Sequence, residues 1–198
     1  LETGSSDAVV NYSSRSVGNP SFSAADISTS VNSLLDLAVA DMDNDGDIDI
    51  LLATSDNNDA LYWLENNGAA DPSWSVAAIS NTTTYGIAVD VSDMDNDGDM
   101  DILTASYNDD RIAWYENNGA SDPSWTYASI ATSADGAMSV FAADMDGDGD
   151  MDILSASFLD DAIAWYENDG ASDPSWTAAD IATSADGAMS VFAADMDG

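Results

Sequence analysis

The stretch Asp41-Met42-Asp43-Asn44-Asp45-Gly46-Asp47-Ile48-Asp49 decides how this chain folds. Counted from Asp41, it places aspartate at positions 1, 3, 5, 7 and 9 and glycine at position 6. Alternate residues of a tight loop can direct their carboxylates towards one centre, and glycine permits the sharp turn that such a loop needs. Without a cation, five neighbouring carboxylates repel one another strongly. The stretch therefore predicts a loop that binds a hard divalent cation.

Calcium is the ion that the pattern favours, because it takes about six to eight oxygen ligands at roughly 2.3–2.6 Å. We expect side-chain ligands from positions 1, 3 and 5, a backbone carbonyl from position 7, and a bidentate carboxylate from position 9. Magnesium prefers fewer ligands in a more rigid shell and is the weaker candidate. An EF-hand opens in the same way but closes with a later acid on a helix, whereas here a strand-like apolar run follows position 9.

The loop recurs at an almost constant spacing. Copies start at Asp41, Asp93, Asp144 and Asp195, at intervals of 52, 51 and 51 residues, and the last is cut off at Gly198. A single copy could be a solvated acidic turn, but three complete copies in one phase make that improbable. We predict about three structural calcium sites and no complete fourth site. The predicted metal ligands are Asp41, Asp43, Asp45, Asp47, Asp49, Asp93, Asp95, Asp97, Asp99, Asp101, Asp144, Asp146, Asp148, Asp150 and Asp152.

Each repeat is predicted to contain four short strands, because apolar runs alternate with turns rich in Gly, Asn and Asp. Four strands in a repeat of about 51 residues are typical of a β-propeller blade, whose faces are buried only by neighbouring blades. We therefore expect an all-β, propeller-type domain of about four blade-equivalents, entered and left within a blade. The predicted units are a partial blade at 1–32, blades at about 33–83, 84–134 and 135–185, and a partial blade at 186–198.

Burial in such a fold can be predicted for the first strand and the aromatic residues. The first strand of each repeat is mainly apolar, so we expect it to be an inner strand that is buried on both sides. The recurring tryptophans, together with Phe141 and Phe192, are expected to pack between blades. The broken repeats at both ends of the sequence predict a longer array, or a polymer in which a neighbouring subunit completes the blade.

The repeats resemble the FG-GAP/VCBS family, whose members are blades of integrin-α-type β-propellers with an Asp-x-Asp-x-Asp-Gly-x-x-Asp loop between the first two strands. The resemblance covers the chain from about Asp7 to Gly198. The Phe-Gly and Gly-Ala-Pro signature of that family is not preserved, so the nearer relatives look like the VCBS-type repeats of large surface proteins. The resemblance implies a calcium-stabilised extracellular scaffold used in adhesion and in surface or matrix assemblies.

The composition excludes several function classes. The chain has 38 acidic residues and only two basic ones, Arg15 and Arg111, for a net charge of −36. This charge repels nucleic acid and anionic membranes, so neither is expected as a partner. Without cysteine or histidine, the chain has no disulfides, zinc sites or thiol and imidazole catalysis. A halophile-type acidic surface is an alternative explanation of the charge, and both explanations can hold together.

These features predict a calcium-binding extracellular structural or adhesive protein, in which calcium is a structural clamp within a larger surface or fibre-forming assembly. We expect no catalytic residues, because catalysis needs one asymmetric site and these repeats are almost interchangeable. The expected partners are other protein chains, including a second copy docked head-to-tail, or surface glycans. Asn11 and Asn81 begin sequons that are compatible with N-glycosylation in a eukaryotic secretory route.

Two alternatives remain open from the sequence. The first is a carbohydrate-binding module, or an accessory domain of a carbohydrate-active enzyme, that uses exposed aromatic residues beside calcium. The second is a glycosidase or lyase that uses paired carboxylates. Burial of Trp63, Trp114 and Trp165 would favour the scaffold over the carbohydrate-binding module.

Overall fold

The computed structural model describes residues 27–28, 31, 33–55, 61–80 and 86–196. Within these ranges the chain forms three antiparallel sheets of four strands, each in sequence order. The first sheet contains β1 (Leu34–Ala40), β2 (Asp49–Thr54), β3 (Leu61–Asn66) and β4 (Trp74–Ser80). The second contains β5 (Gly86–Ser92), β6 (Asp101–Ser106), β7 (Arg111–Asn117) and β8 (Trp125–Ala131). The third contains β9 (Ala137–Ala143), β10 (Asp152–Ser157), β11 (Ala162–Asn168) and β12 (Trp176–Ala182).

This architecture confirms the predicted all-β class and the four-stranded unit. Among the described residues there is no helix with the length and apolar character needed to cross a membrane. The partial blade predicted at 1–32 lies outside these residues except at 27, 28 and 31. Asn11, Asn81 and the last two residues of the fourth acidic loop also lie outside them.

Strand register brings the two ends of each acidic loop together. In the first sheet Ala40 pairs with Asp49, so the residue before position 1 lies opposite position 9. Directly opposed antiparallel residues lie about 4.5–5.5 Å apart, so the hairpin itself returns the position-9 carboxylate to the start of the loop. The same pairing recurs in the other two sheets, as Ser92 with Asp101 and Ala143 with Asp152.

The apolar core lies between successive sheets. Leu51 of the first sheet clusters with Ile102 of the second, and the next residue along, Leu103, clusters with Ile153 of the third. Successive residues of a strand point to opposite faces, so β6 contributes to both clusters, and all six of its residues are buried. Each sheet is thus stabilised by its neighbours, as expected of stacked repeats.

The prediction that every first strand is buried on both sides is wrong for β1. Leu37 of β1 is 52% exposed, whereas Val89 of β5 and Val140 of β9, at the same place in the repeat, are each 6% exposed. Val89 and Val140 pack against the preceding sheet. Among the described residues no sheet precedes the first one, so Leu37 has no equivalent cover.

Aromatic side chains pack between repeats, as predicted. Trp114 of the second sheet and Trp176 of the third meet edge to face, with ring centroids 6.3 Å apart. Phe141 and Phe192, which are equivalent residues of successive repeats, also meet, with ring centroids 4.8 Å apart. Phe192 nevertheless remains 73% exposed, so this contact covers only part of its ring. Such pairs contribute about 0.5–1.5 kcal/mol beyond the area that they bury.

Candidate metal centre

Three carboxylate clusters lie in the loops that join the first and second strands of each sheet. In each cluster, three aspartates have oxygen atoms that all lie within 4.8 Å of one another. Positions 1 and 3 take part in every cluster, position 5 completes the first, and position 9 completes the second and third. The clusters are Asp41, Asp43 and Asp45; Asp93, Asp95 and Asp101; and Asp144, Asp146 and Asp152.

The amides of each loop fold around the carboxylate at position 1. Asp41 accepts hydrogen bonds from the N–H groups of Asp45 and Gly46, at 3.1 and 2.9 Å. The second loop repeats both bonds, at 3.1 and 3.0 Å. The glycines at position 6 have φ of 94°, 98° and 101° in the three loops, a conformation that residues with a Cβ rarely adopt. The backbone therefore holds position 1 in place and requires glycine at position 6.

The carboxylate at position 9 is buried and joins the loop to the sheet. Asp49, Asp101 and Asp152 are each at most 1% exposed. In the second loop, Asp101 accepts the N–H of Met94 at 3.0 Å and that of Asn117, at the end of β7, at 2.7 Å. Equivalent pairs of bonds hold the other two carboxylates. Position 9 therefore fixes the loop against the third strand, as well as lying in two of the clusters.

The side chain at position 7 points away from its own cluster in the second and third loops. Asp99 accepts a hydrogen bond from Asn44 Nδ2 at 2.5 Å, and Asp150 accepts one from Asn96 Nδ2 at 2.8 Å. Both donors stand at position 4 of the preceding loop. Because the side chain is used in this way, the ligand atom that the sequence predicts at position 7 is the backbone carbonyl.

At position 5, the clusters include Asp45 but neither Asp97 nor Asp148. The carboxylates of Asp97 and Asp148 accept the N–H groups of the position-7 residues, at 2.9 and 3.0 Å. Asp45 makes the same bond at 2.9 Å. Position 5 therefore has a local structural role in every loop and joins a three-oxygen cluster only in the first.

Burial disfavours the charged form of several of these carboxyls. Desolvation raises the pKa of Asp101 to about 7, although hydrogen bonds from neighbouring N–H groups lower it. Desolvation also raises the pKa of Asp49. At position 3, desolvation and then repulsion from the position-5 carboxylate raise the pKa of Asp43 and Asp95. The clusters are therefore electrostatically unfavourable unless a proton or a cation compensates their charge.

A calcium ion fits this donor set. All the converging donors are carboxylate oxygens, which are the ligands that a hard cation takes. Arg111 is the only basic residue in the described part of the chain, and its guanidinium donates to the Tyr127 hydroxyl at 3.2 Å rather than to a loop. No basic side chain of the described residues therefore replaces a metal ion as the counter-charge of the clusters.

A set of asparagines that the spacing of the motif does not predict supports the loops. Asn66, Asn117 and Asn168 end the third strand of each sheet, and each donates a side-chain N–H to the carbonyl at position 8 of its own loop, at 3.1, 3.1 and 3.0 Å. The sequence does carry a signal for these asparagines, because the pair Glu-Asn recurs at this place in every repeat. Its meaning depends on long-range contacts that spacing alone does not reveal.

Comparison with protein families agrees with this geometry. The model of the FG-GAP-like repeat matches three overlapping segments, at residues 41–104, 93–155 and 146–198. No curated protein matches the chain. The matched segments together run from the first acidic loop to the end of the sequence and contain all three clusters. The chain therefore belongs to the FG-GAP-like repeat family.

Proposed function

We propose that this protein is a calcium-binding structural module of an extracellular surface or matrix assembly, and that calcium clamps each sheet of a β-propeller-type array. The observation that carries the proposal is the threefold recurrence of a carboxylate cluster with a buried position-9 aspartate. Each cluster lies in the loop that joins the first strand of a sheet to the second strand. An ion there would neutralise the loop and hold the two strands in register.

A clamp is better supported than a sensor or a catalyst. The position-9 carboxylate is bonded to both the loop and the third strand, so the loop has little freedom to move as a switch. The three loops carry the same five aspartates at positions 1, 3, 5, 7 and 9, and the three clusters share positions 1 and 3, whereas a catalytic site would need one asymmetric set of residues. We therefore propose a non-enzymatic role.

The buried tryptophans give little support to a carbohydrate-binding module. Trp63 and Trp114 are 6% and 3% exposed, and Trp165 is half-buried. A sugar ring stacks on an exposed aromatic face, and the first two rings present none. The partner that the surface supports better is another protein chain.

The outer faces of the first and third sheets support a second copy of this chain as that partner, docked head-to-tail. Met42 and Met94, at position 2 of the first two loops, are 1% and 0% exposed, whereas Met145, their equivalent in the third loop, is 39% exposed. At the opposite face, Leu37 and Val39 are 52% and 53% exposed. A copy docked in this way would repeat the contacts that the internal sheets make, as in a heterologous interface.

Calcium titration of the metal-free protein tests the clamp. Because the ion binds the folded state, we expect the melting temperature to rise with calcium, with a stabilisation of about 2.7 kcal/mol per site at a hundredfold excess over the dissociation constant. Sodium chloride at matched ionic strength controls for screening of the net charge of −36. Magnesium controls for ion type. A melting temperature that calcium leaves unchanged would contradict the proposal.

A further inference from the structure

One buried asparagine side chain joins two successive acidic loops. Asn117 Nδ2 donates to the carbonyl oxygen of Met42 in the first loop, at 2.9 Å, and to that of Met100 in the second, at 3.1 Å. Asn168 makes the same pair of bonds one repeat later, to Met94 at 2.8 Å and to Met151 at 3.0 Å. These asparagines are 1% and 2% exposed, so water cannot readily replace the bonds.

The asparagine bridge runs from candidate ligands of one site to a candidate ligand of the next. Met42 stands between Asp41 and Asp43, which are both in the first cluster. The backbone N–H of Asn117 holds the Oδ1 of Asp101, in the second cluster, at 2.7 Å. The first and second clusters are therefore connected through the Met42 carbonyl and the single residue Asn117. Asn168 and Asp152 connect the second cluster to the third in the same way, at 2.8 Å.

A second connection runs along the surface of the loops. Asn44 donates to Asp99, and Asn96 donates to Asp150, across each pair of neighbouring loops. The accepting carboxylate of Asp99 packs directly against the backbone of Gly119, since a Cβ on that residue would lie 2.0 Å from Asp99 Oδ2. At the position of these asparagines the third loop has Gly147, which offers no side chain to a following loop.

We propose that the three loops bind calcium cooperatively, with each occupied loop raising the affinity of its neighbour through these asparagines. The proposal rests on the function proposed above. An ion bound in one loop fixes the ligands on either side of the bridged carbonyl, and the asparagine passes that position on to the carboxylate of the next loop. The next loop therefore needs less rearrangement of its ligands when it binds. Coupling is reciprocal, so the middle site influences both outer sites and is influenced by both.

The position-6 glycine amides allow each loop to be observed separately. The N–H groups of Gly46, Gly98 and Gly149 donate to the position-1 aspartates at 2.9, 3.0 and 3.1 Å, so their NMR resonances report occupation of each site in the whole chain. Asp95→Asn removes one charge from the second cluster and retains an oxygen acceptor. With the second loop weakened, we expect calcium affinity at the first and third loops to fall about fivefold or more.

Asn44→Gly and Asn96→Gly test the surface connection without disturbing the backbone. The two asparagines have φ of 59° and 60°, and Gly147 occupies the equivalent place with φ of 81°, so glycine is compatible with the fold there. We expect these variants to reduce the coupling between neighbouring loops while each loop still binds calcium.

Asn117→Ala tests the buried bridge, with Asn66→Ala as its matched control. Asn66 donates to the carbonyl of its own loop, at Ile48, and no acidic loop precedes it in the described part of the chain. We expect Asn66→Ala to weaken the first loop but to leave the coupling between the first and second loops in place, because Asn66 does not bond to a second loop. Asn117→Ala should weaken the second loop and also reduce its coupling to the first. If Asn117→Ala does not fold, Asp95→Asn and the glycine variants still decide the proposal.

The outcomes separate this proposal from the one on which it rests. If Asp95→Asn weakens calcium binding at the second loop but leaves the affinities of the first and third loops unchanged, the coupling is overturned and the calcium clamp still stands. Absence of calcium binding at every loop would overturn the clamp itself. The coupling would be supported if Asp95→Asn lowers calcium affinity at both the first and the third loops. The asparagine variants should then make this effect on the neighbouring loops smaller.

Discussion

The indole Nε1 of Trp63 donates a hydrogen bond to Asp49 Oδ2 at 3.0 Å, inside the first sheet. This bond joins an aromatic residue of the core to the closing carboxylate of an acidic loop. Asp49 is 1% exposed and Trp63 is 6% exposed, so the bond is shielded from water. The acidic loop is therefore part of the core at its inner end, although its outer end is exposed.

Trp63→Phe should lower the free energy of unfolding by about 1–3 kcal/mol, because it leaves a buried carboxylate with one bond fewer. Urea denaturation of the metal-free protein measures the change. Trp165→Phe is the matched control, since the Trp165 indole nitrogen is buried with no hydrogen-bond partner, and its loss should cost less. Equal losses in the two variants would show that the bond to Asp49 contributes nothing beyond packing.

The raised pKa of Asp101 predicts how the stability of the metal-free protein depends on pH. Its pKa is about 7 in the folded state and about 3.9 in an unfolded chain. Between these values the folded state holds a proton that the unfolded state has released, so the free energy of unfolding should fall as pH rises from about 4 to 7. Asp101→Asn should flatten this dependence. Asp122→Asn removes one charge at an exposed position and should leave the pH dependence unchanged. It therefore controls for the effect of lowering the net negative charge.

Calcium affinity at the second loop should show the opposite trend and strengthen as pH rises through about 7. The reason is competition, because the proton that Asp101 holds at lower pH must leave when the carboxylate binds a cation. Calorimetry in buffers with different ionisation enthalpies measures the proton release directly. Calcium binding without proton release at roughly pH 6 would contradict the prediction that Asp101 gives up a proton to bind the ion.

Gly119→Ala should destabilise the fold more than Gly187→Ala, which lies beyond the last strand of the third sheet. Both glycines have φ of 65°, so alanine costs about 1–2 kcal/mol of backbone strain at either site. An added Cβ on Gly119 would lie 2.0 Å from Asp99 Oδ2, whereas one on Gly187 would lie 3.3 Å from a ring atom of Phe158. Removing the clash through Asp99→Ala should recover part of the loss. A double variant no more stable than Gly119→Ala would exclude the clash as the cause.

Leu37→Asp should weaken head-to-tail association more than about tenfold, because it places a charge on an apolar face that a second copy would cover. Sedimentation of the calcium-loaded protein over a range of concentrations measures the dissociation constant. Leu159→Asp is the control, since Leu159 is 58% exposed in the turn between β10 and β11. A protein that stays monomeric at all concentrations would contradict self-association.

The sequence determined the features that depend on local spacing. Alternating aspartates around a glycine gave the three loops, and the apolar runs between turns gave four strands in each repeat, because strand and turn preferences act over a few residues. The same local rules failed for β1. Its apolar pattern is that of an inner strand, but burial of Leu37 depends on a neighbouring sheet.

Only the tertiary structure decided which carboxylates converge and how the loops are connected. The sequence treats positions 5 and 9 alike in every copy, yet position 9 enters the cluster in two loops and position 5 in one. Asn117 and Met42 are 75 residues apart and form one hydrogen bond between two sheets. No local propensity specifies such a contact, because it forms only when the sheets pack against each other and exclude water from the amide between them.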